Sequence, residues 1–290
     1  MLDFGILFAS VLNGLTTGAV YALIALGLTL IYGVLHIINF AHGAALMVAL
    51  YAVWLVKTRF GIDPYLALPL VVAGMFALGY ALQRVVINRA GHGKDENILL
   101  VTLGLAIVME NLALLVFKSD TRTIETPYTL TTVAIGPAII SLPKLVAFGG
   151  ALAASALLLL IVTRTDLGRA IRAVAKEKHG AKLMGIDVDH VYAMCFGIGL
   201  ACLGAAACFL LPIYYVNPQV GAGFVPVAFT NVVLGGMGSF AGALVGGLLI
   251  GVVESLGGLF LGESLGQIGI FAIFIAVLLF RPQGLFGARR

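Results

Sequence analysis

The sequence predicts an all-α polytopic membrane protein, and three observations carry that reading. Its residues are 61% hydrophobic and only 10% charged, with a mean hydropathy of +1.11. A soluble domain of this size has no interior large enough for so many apolar side chains, so much of the solvent must be lipid. The apolar residues also fall into successive runs, several approaching the roughly 20 residues that a helix needs to cross a bilayer. Finally, 37 glycines suit helices that pack closely in lipid, where association relies on small residues.

Taken in order, the runs predict about nine transmembrane segments (eight to ten) in a single transmembrane domain, residues 1–290. The first spans about Leu2–Ile31 and is long enough to tilt or kink. Asn39-Phe40-Ala41-His42-Gly43 then interrupts the apolar pattern before a shorter run, Ala44–Val56. A third span covers Pro64–Val86 and a fourth Ile98–Phe117, with the loop Arg89–Asn97 between them. The interval of about residues 118–142 is rich in Thr and Pro, and Thr131–Ile140 reads as a short hairpin. A fifth span, Leu145–Val162, precedes the longest polar interval of the chain, about residues 164–189, and a sixth follows at Val191–Leu211. A short seventh segment, Val225–Leu234, breaks at Gly235-Gly236-Met237-Gly238-Ser239, followed by Phe240–Leu256 and Gln267–Phe280. No basic n-region with a small-residue cleavage site opens the chain, so the first segment is expected to stay.

Charge sets the orientation. With residues 164–189, the loop after the third span and the C-terminal tail on one side, that side holds 12 of the 17 basic residues. The other keeps Lys57, Arg59, Lys118, Arg122 and Lys144. The positive-inside rule makes the richer side cytoplasmic, with the N-terminus outside and the C-terminus inside. Basic residues confined to such loops orient a chain in a bilayer, and nucleic acid is not the natural partner. Cys195, Cys202 and Cys208 all fall within one apolar run and read as packing residues, without a disulfide framework or a metal site.

Several residues stand out against this background. The Asn39–Gly43 interruption and the Gly235–Ser239 break echo each other, and paired broken segments point to a central pathway. Asn39, His42 and Gly43, with Gly235, Gly236, Gly238 and Ser239, are therefore the candidate substrate path. Irregular backbone at membrane depth must be buried in protein or line a wet cavity, but a loop end at the cytoplasmic surface accounts for the same residues. Gly238, Gly242 and Gly246 recur every four residues, a spacing that serves either close helix packing or packing around a path. Glu110, with its neighbour Asn111, and Glu254 lie within apolar spans. An intramembrane carboxylate is costly and marks function by default, although a hydrogen-bonded packing role fits too. No Ser–His, Cys–His or zinc-binding set has the spacing that catalysis needs, and no phosphate-binding loop is present. Catalytic residues are thus not expected, and any energy from ATP must come from another subunit. Residues 170–184 read as a short amphipathic helix with a stripe of Ile171, Val174 and Ala175, suited to lying on anionic lipid or docking a partner.

Five motifs resemble one family. They are Gly18-x-x-Tyr21-Ala22-Leu23-x-Ala25-Leu26-Gly27-Leu28, Ile38-Asn39-Phe40-Ala41-His42-Gly43, and Gly168-Arg169-Ala170-Ile171-Arg172-Ala173 followed by Leu183-Met184-Gly185-Ile186-Asp187. Val233-Leu234-Gly235-Gly236-Met237-Gly238-Ser239-x-x-Gly242-Ala243 and Leu279-Phe280-Arg281-Pro282-Gln283-Gly284-Leu285 complete the set. In this order, over nearly the whole chain, they resemble the LivH-type inner-membrane permeases of branched-chain amino acid ABC importers. The resemblance implies a second homologous permease subunit, two cytoplasmic ATPase subunits that bind ATP and magnesium, and a periplasmic substrate-binding protein. No cofactor is then expected on this chain itself. It also implies that the cytoplasmic interval carries a coupling helix, with Arg169, Arg172, Lys176, Glu177, Lys182 and Gly185 as its candidate residues.

Two departures from the family pattern stand out. Ala44 follows the Asn39–Gly43 motif where members often have an acid. Lys178-His179-Gly180-Ala181 replaces a common acid-and-alanine pattern. The leading expectation is the permease of an ATP-driven importer for branched-chain or related neutral amino acids. Related systems for urea or short amides are the alternative, and a self-sufficient channel or a proton-coupled carrier using Glu110 or Glu254 is a different class. With few charges in the spans, helix ends, backbone groups and small polar side chains are expected to line the route, without a tight intramembrane site.

Overall fold

The computed structural model describes residues 4–90, 95–262, 265–281 and 283–287. The expected loop Arg89–Asn97 and the C-terminal tail therefore lie partly outside the described residues. Helix α1 (Phe4–Leu35) is the axis of the molecule. It is apolar on every face, as a fully enclosed helix must be, and from Gly14 onward most of its residues are buried. Helix α11 (Phe240–Leu261) runs antiparallel along it: Gly14 meets Gly251, Gly18 meets Gly247 and Gly33 meets Gly238. The backbones approach too closely there for side chains on both partners, so the Gly247–Gly251 face of α11 is a packing groove for α1, while Gly242 and Gly246 pack on Gly235 and Asn231 of the preceding helix. A reciprocal serine pair clamps the far end of this seam, with Ser255 Oγ donating to Ser10 O at 2.7 Å.

Helix α9 (Val188–Leu210) is the second buried helix. It lies against α1, α2 (His42–Phe60) and α3 (Leu68–Leu82). Its three cysteines are free and buried, as packing residues should be. The core is built where these helices meet, from Leu23, Leu30, Leu46, Leu50, Phe196 and Leu203 among others. After Leu82 the third helix widens into a π-helical stretch, Gln83–Ile87, and ends in a short α4 (Asn88–Ala90). Helices α5 (Asp95–Phe117), α6 (Leu142–Arg164) and α12 (Gly266–Phe280) stand at the periphery and expose Leu115, Leu157 and Phe280. Lipid is the medium in which such faces cost nothing.

Among the described residues seven helices are long and apolar enough to cross a membrane, and α10 (Val220–Gly235) and α12 are shorter apolar helices of 16 and 15 residues. The second segment is not short, as its sequence suggested. It begins two residues earlier than the apolar run and extends to Phe60, because Lys57 and Arg59 continue the helix beyond its apolar part.

One end of the molecule is closed by residues 118–142. The expected hairpin forms from β1 (Thr132–Ile135) and antiparallel β2 (Ala138–Ser141), with Thr132 opposite Ser141. The rest of this segment is tied down by specific contacts. Arg122 stacks over the Trp54 ring at 4.4 Å and donates to Phe117 O at 2.9 Å, while its backbone bridges to Val216. The Tyr128 hydroxyl donates to Asp63 Oδ2 at 2.7 Å, and its ring stacks on Tyr65. Burial and then the Asp63 carboxylate push the Tyr65 phenol up to about 12, and burial followed by the hydrogen bond to Asp63 raises Tyr128 as well. Both phenols therefore stay protonated donors at neutral pH. Tyr128→Phe keeps the stacked ring and loses only the hydrogen bond, so thermal unfolding should report a loss of about 1 kcal/mol.

Candidate functional site

The Asn39–Gly43 interruption lies deep in the molecule. His42 Nε2 bonds the carbonyl of Ile24 at 3.0 Å, and Ile24 lies about 16 Å short of the Leu35 end of α1 at 1.5 Å per residue. The chain thus leaves α1, folds back as residues 36–41 and starts α2 at mid-depth. Asn39 makes this turn possible, since its Oδ1 accepts from Ala41 N at 3.0 Å. Irregular backbone is tolerated there because protein surrounds it: Asn39 and His42 are both buried. Among the described residues, Asn39 Nδ2 and His42 Nδ1 have no hydrogen-bond partner.

Gly43 sits on Gly221, backbone against backbone, where α2 crosses the start of α10. One turn of α1 from Ile24, Asn231 of α10 reaches Tyr21 O through Nδ2 at 3.5 Å. His42 and Asn231, from the two segments that the sequence singles out, therefore hang on neighbouring carbonyls of α1.

The Gly235–Ser239 break has a different place. It is a tight turn beside Gly33, near the opposite end of α1 from the serine clamp. Gly236 and Gly238 take φ values of 97° and 87°, which side-chain-bearing residues rarely adopt. Ser239 caps α11, its Oγ accepting from Gly242 N at 3.1 Å. Gly235 packs against Gly242, and the tail returns to cover the turn through Phe286 N to Gly235 O at 3.1 Å. The two interruptions therefore meet α1 at different depths, and neither lines the cavities described next.

At the hairpin end, α1, α6 and α11 line an open polar cavity of about 630 Å³ with Ser10, Asn13, Thr17, Tyr21, Lys144 and Glu254, and with Ser255 and the Gly251–Leu259 face behind them. Lys144 Nζ donates to Asn13 Oδ1 at 3.0 Å. The Tyr21 phenol engages the Glu254 carboxyl group. Lys144 also lines an adjoining cavity of about 640 Å³ under residues 123–130, where Leu211, Ile213, Tyr214 and Tyr215 form an apolar and aromatic wall. Glu110 and Asn111 are far from this arrangement. They lie on peripheral α5, where Asn111 is exposed and bonds its own helix at Ile107 O.

The opposite end carries the polar interval. The expected single helix is two: α7 (Asp166–Lys176) and α8 (Lys178–Leu183). Glu177 separates them in an extended conformation and caps the second, its Oε1 accepting from His179 N at 3.1 Å. Ile171 and Val174 face inward, as the stripe predicts. Gly168 packs against the Val162 carbonyl, and the Arg172 guanidinium donates to the same oxygen, so α7 is fastened to the end of α6. Arg169 pairs with Asp166 of its own helix. Gly185, at φ 82°, ends α8, with Ile186 N returning to Ala181 O at 3.1 Å.

Of the six residues that the resemblance made coupling candidates, Lys176, Glu177 and Lys182 are exposed, Arg169 and Arg172 are engaged within the chain, and Gly185 shapes the turn. Sequence reasoning did not single out Leu183 and Met184, large apolar residues that are 89% and 83% exposed at the end of α8. It also missed Lys144, Asn13 and Tyr21, which look like an ordinary loop base and span residues until α11 brings Glu254 to them.

The sequence is similar to known proteins over nearly its whole length. The family model described as the permease component of branched-chain amino acid transport systems matches residues 10–278. The high-affinity branched-chain amino acid transport system permease protein BraD of Pseudomonas aeruginosa is 35% identical, covering 95% of this chain and 94% of that protein. The permease protein LivH of the corresponding system in Escherichia coli is 34% identical with the same coverage. Among solved structures, PsaBC from Streptococcus pneumoniae in complex with Fab aligns over 95% of this chain and 93% of its own, at 16% identity and a TM-score of 0.49. With its multiple apolar helices and these relatives, the chain is a multi-pass membrane protein and belongs to the branched-chain amino acid transport permease family.

Proposed function

We propose that this chain is the membrane permease subunit of an ATP-driven importer of branched-chain or related neutral amino acids. The names of its relatives support the substrate class. One observation supports the division of labour: a single helix, α6, joins the polar cavity to the docking platform. Lys144 lies in its first turn at the cavity, and near its other end Val162 is fastened to α7 through Arg172, about 27 Å along the helix at 1.5 Å per residue.

On this reading the basic end, with α7 and α8, is cytoplasmic, in keeping with the positive-inside rule. The hairpin end then faces the periplasm, and the membrane is the inner one. Cytoplasmic ATPase subunits dock on the platform, bind ATP and magnesium, and move α7. Helix α6 transmits that movement to the cavity, while a binding protein delivers substrate at the hairpin end and a second, homologous permease completes the path. Inward of the cavity, His42, Asn39 and Asn231 supply buried polar groups along α1, consistent with a route that passes them.

Uptake tests the reading. Proteoliposomes holding the chain with its permease partner, ATPase subunits and binding protein should accumulate leucine only with ATP inside. Leucine uptake by this chain alone, or accumulation of urea in place of leucine, contradicts it.

A further inference from the structure

Lys144 and Glu254 line the same cavity and yet form no ion pair with each other. Glu254 is the sole charged residue of α11, and within α6 Lys144 is separated from Arg164 by nearly the whole length of the helix. Opposite charges attract strongly in a low-dielectric setting, and such residues pair with one another or mark a substrate pathway. Here α1 holds them apart. Asn13 takes the ammonium of Lys144 at 3.0 Å, and Tyr21, two turns further along the same helix, engages Glu254. The serine clamp and the Gly14–Gly251 contact fix α1 against α11, so Glu254 keeps its place relative to Asn13 and Tyr21.

The geometry points to a recognition site for the head group of an α-amino acid zwitterion, in which Lys144 receives the substrate carboxylate and Glu254, oriented by Tyr21, receives the ammonium. This rests on the reading of the chain as an amino acid permease and names the residues that read the substrate. A zwitterion satisfies both charges at once and leaves the site neutral. An acid or an amine leaves one half-buried charge without a counterpart, which is the less favourable outcome. The adjoining wall of Leu211, Ile213 and Tyr214 is apolar and aromatic, and Lys144 borders both spaces. A branched apolar side chain has its place there.

The test uses the reconstituted complex of permease, ATPase and binding-protein subunits with labelled leucine. Lys144→Met and Glu254→Gln should each lower uptake at subsaturating leucine at least tenfold, whereas Lys144→Arg should retain most of it. Discrimination should change as well. In the unaltered complex 4-methylpentanoate, which lacks the ammonium, should compete poorly, and in the Glu254→Gln complex it should compete nearly as well as leucine. Co-elution with the ATPase subunits establishes that each variant is assembled, and if one variant does not assemble the other decides. Uptake within twofold of the unaltered complex in an assembled Lys144→Met or Glu254→Gln variant overturns the site. If the unaltered complex carries no amino acid, the proposed function itself has failed, which is a separate result.

Discussion

Gly43→Ile is expected to yield little or no folded protein. A Cβ at position 43 lands on the Gly221 carbonyl and on Val225, and a Cβ at Gly221 lands on the Gly43 carbonyl. The obstruction is backbone on backbone, so rotamer changes cannot relieve it, and either α2 or α10 must move. Overpacking of this kind costs about 3 kcal/mol or more, a large share of the 5–15 kcal/mol that holds a typical domain together. The displacement also reaches His42, one residue before the contact, and breaks its bond to Ile24. Gly104→Ile is the matched control, because open space surrounds that position on α5. It should be expressed and melt close to the parent protein. Thermal unfolding in detergent separates the two outcomes, and a monodisperse Gly43→Ile protein with an unchanged midpoint means that α2 and α10 do not cross at this point.

The double substitution Leu183→Asp, Met184→Asp is expected to abolish association with the ATPase subunits and leave the permease folded. Both side chains are exposed, so their replacement removes no packing within the chain. Two large apolar side chains uncovered at the tip of a platform suit the desolvated centre of an interface, where truncating a well-seated side chain costs about 2 kcal/mol. Losing both weakens binding roughly a thousandfold, at 1.4 kcal/mol per factor of ten. Co-purification with the ATPase subunits measures the loss directly. Charge reversal at Lys176 and Lys182 should have a smaller effect, since exposed charges at a rim chiefly alter the rate of association. If the Asp variant still co-purifies and supports uptake, the platform does not dock through these two residues.

The fold was largely legible in the sequence. Apolar runs locate helices because lipid admits no unsatisfied backbone, and the hairpin at Thr131–Ile140 carried β-favouring residues on either side of Gly136-Pro137. The amphipathic stripe of Ile171 and Val174 likewise predicted which face of α7 is buried. What hydropathy did not reveal was the break at Glu177, where a side chain used as a cap divides one expected helix into two. Nor could it choose between a surface loop and a deep turn for Asn39–Gly43. That choice depends on the bond from His42 to Ile24, a residue 18 positions away on another helix.

The candidate site was less legible, and Glu110 and Glu254 show why. Each is a lone acid in an apolar helix, and nothing in their local sequence separates them. The difference lies in the helices that carry them: α5 stands at the periphery, while α11 packs along α1 and turns Glu254 toward Tyr21 and the cavity. Lys144 is a similar case. In the sequence it is one of five bases outside the richly basic side, and only the packing of α6 on α1 joins it to Asn13, 131 residues away.

The sequence by itself determined that this chain lives in lipid, where its helices run, which end is basic and which family it belongs to, because these follow from composition, period and local motif. The depth of the Asn39–Gly43 turn, the pairing of Lys144 with Glu254 around one cavity and the exposure of Leu183 and Met184 were decided only by the tertiary structure. They depend on which helix faces meet, and those contacts join residues that are remote in the chain.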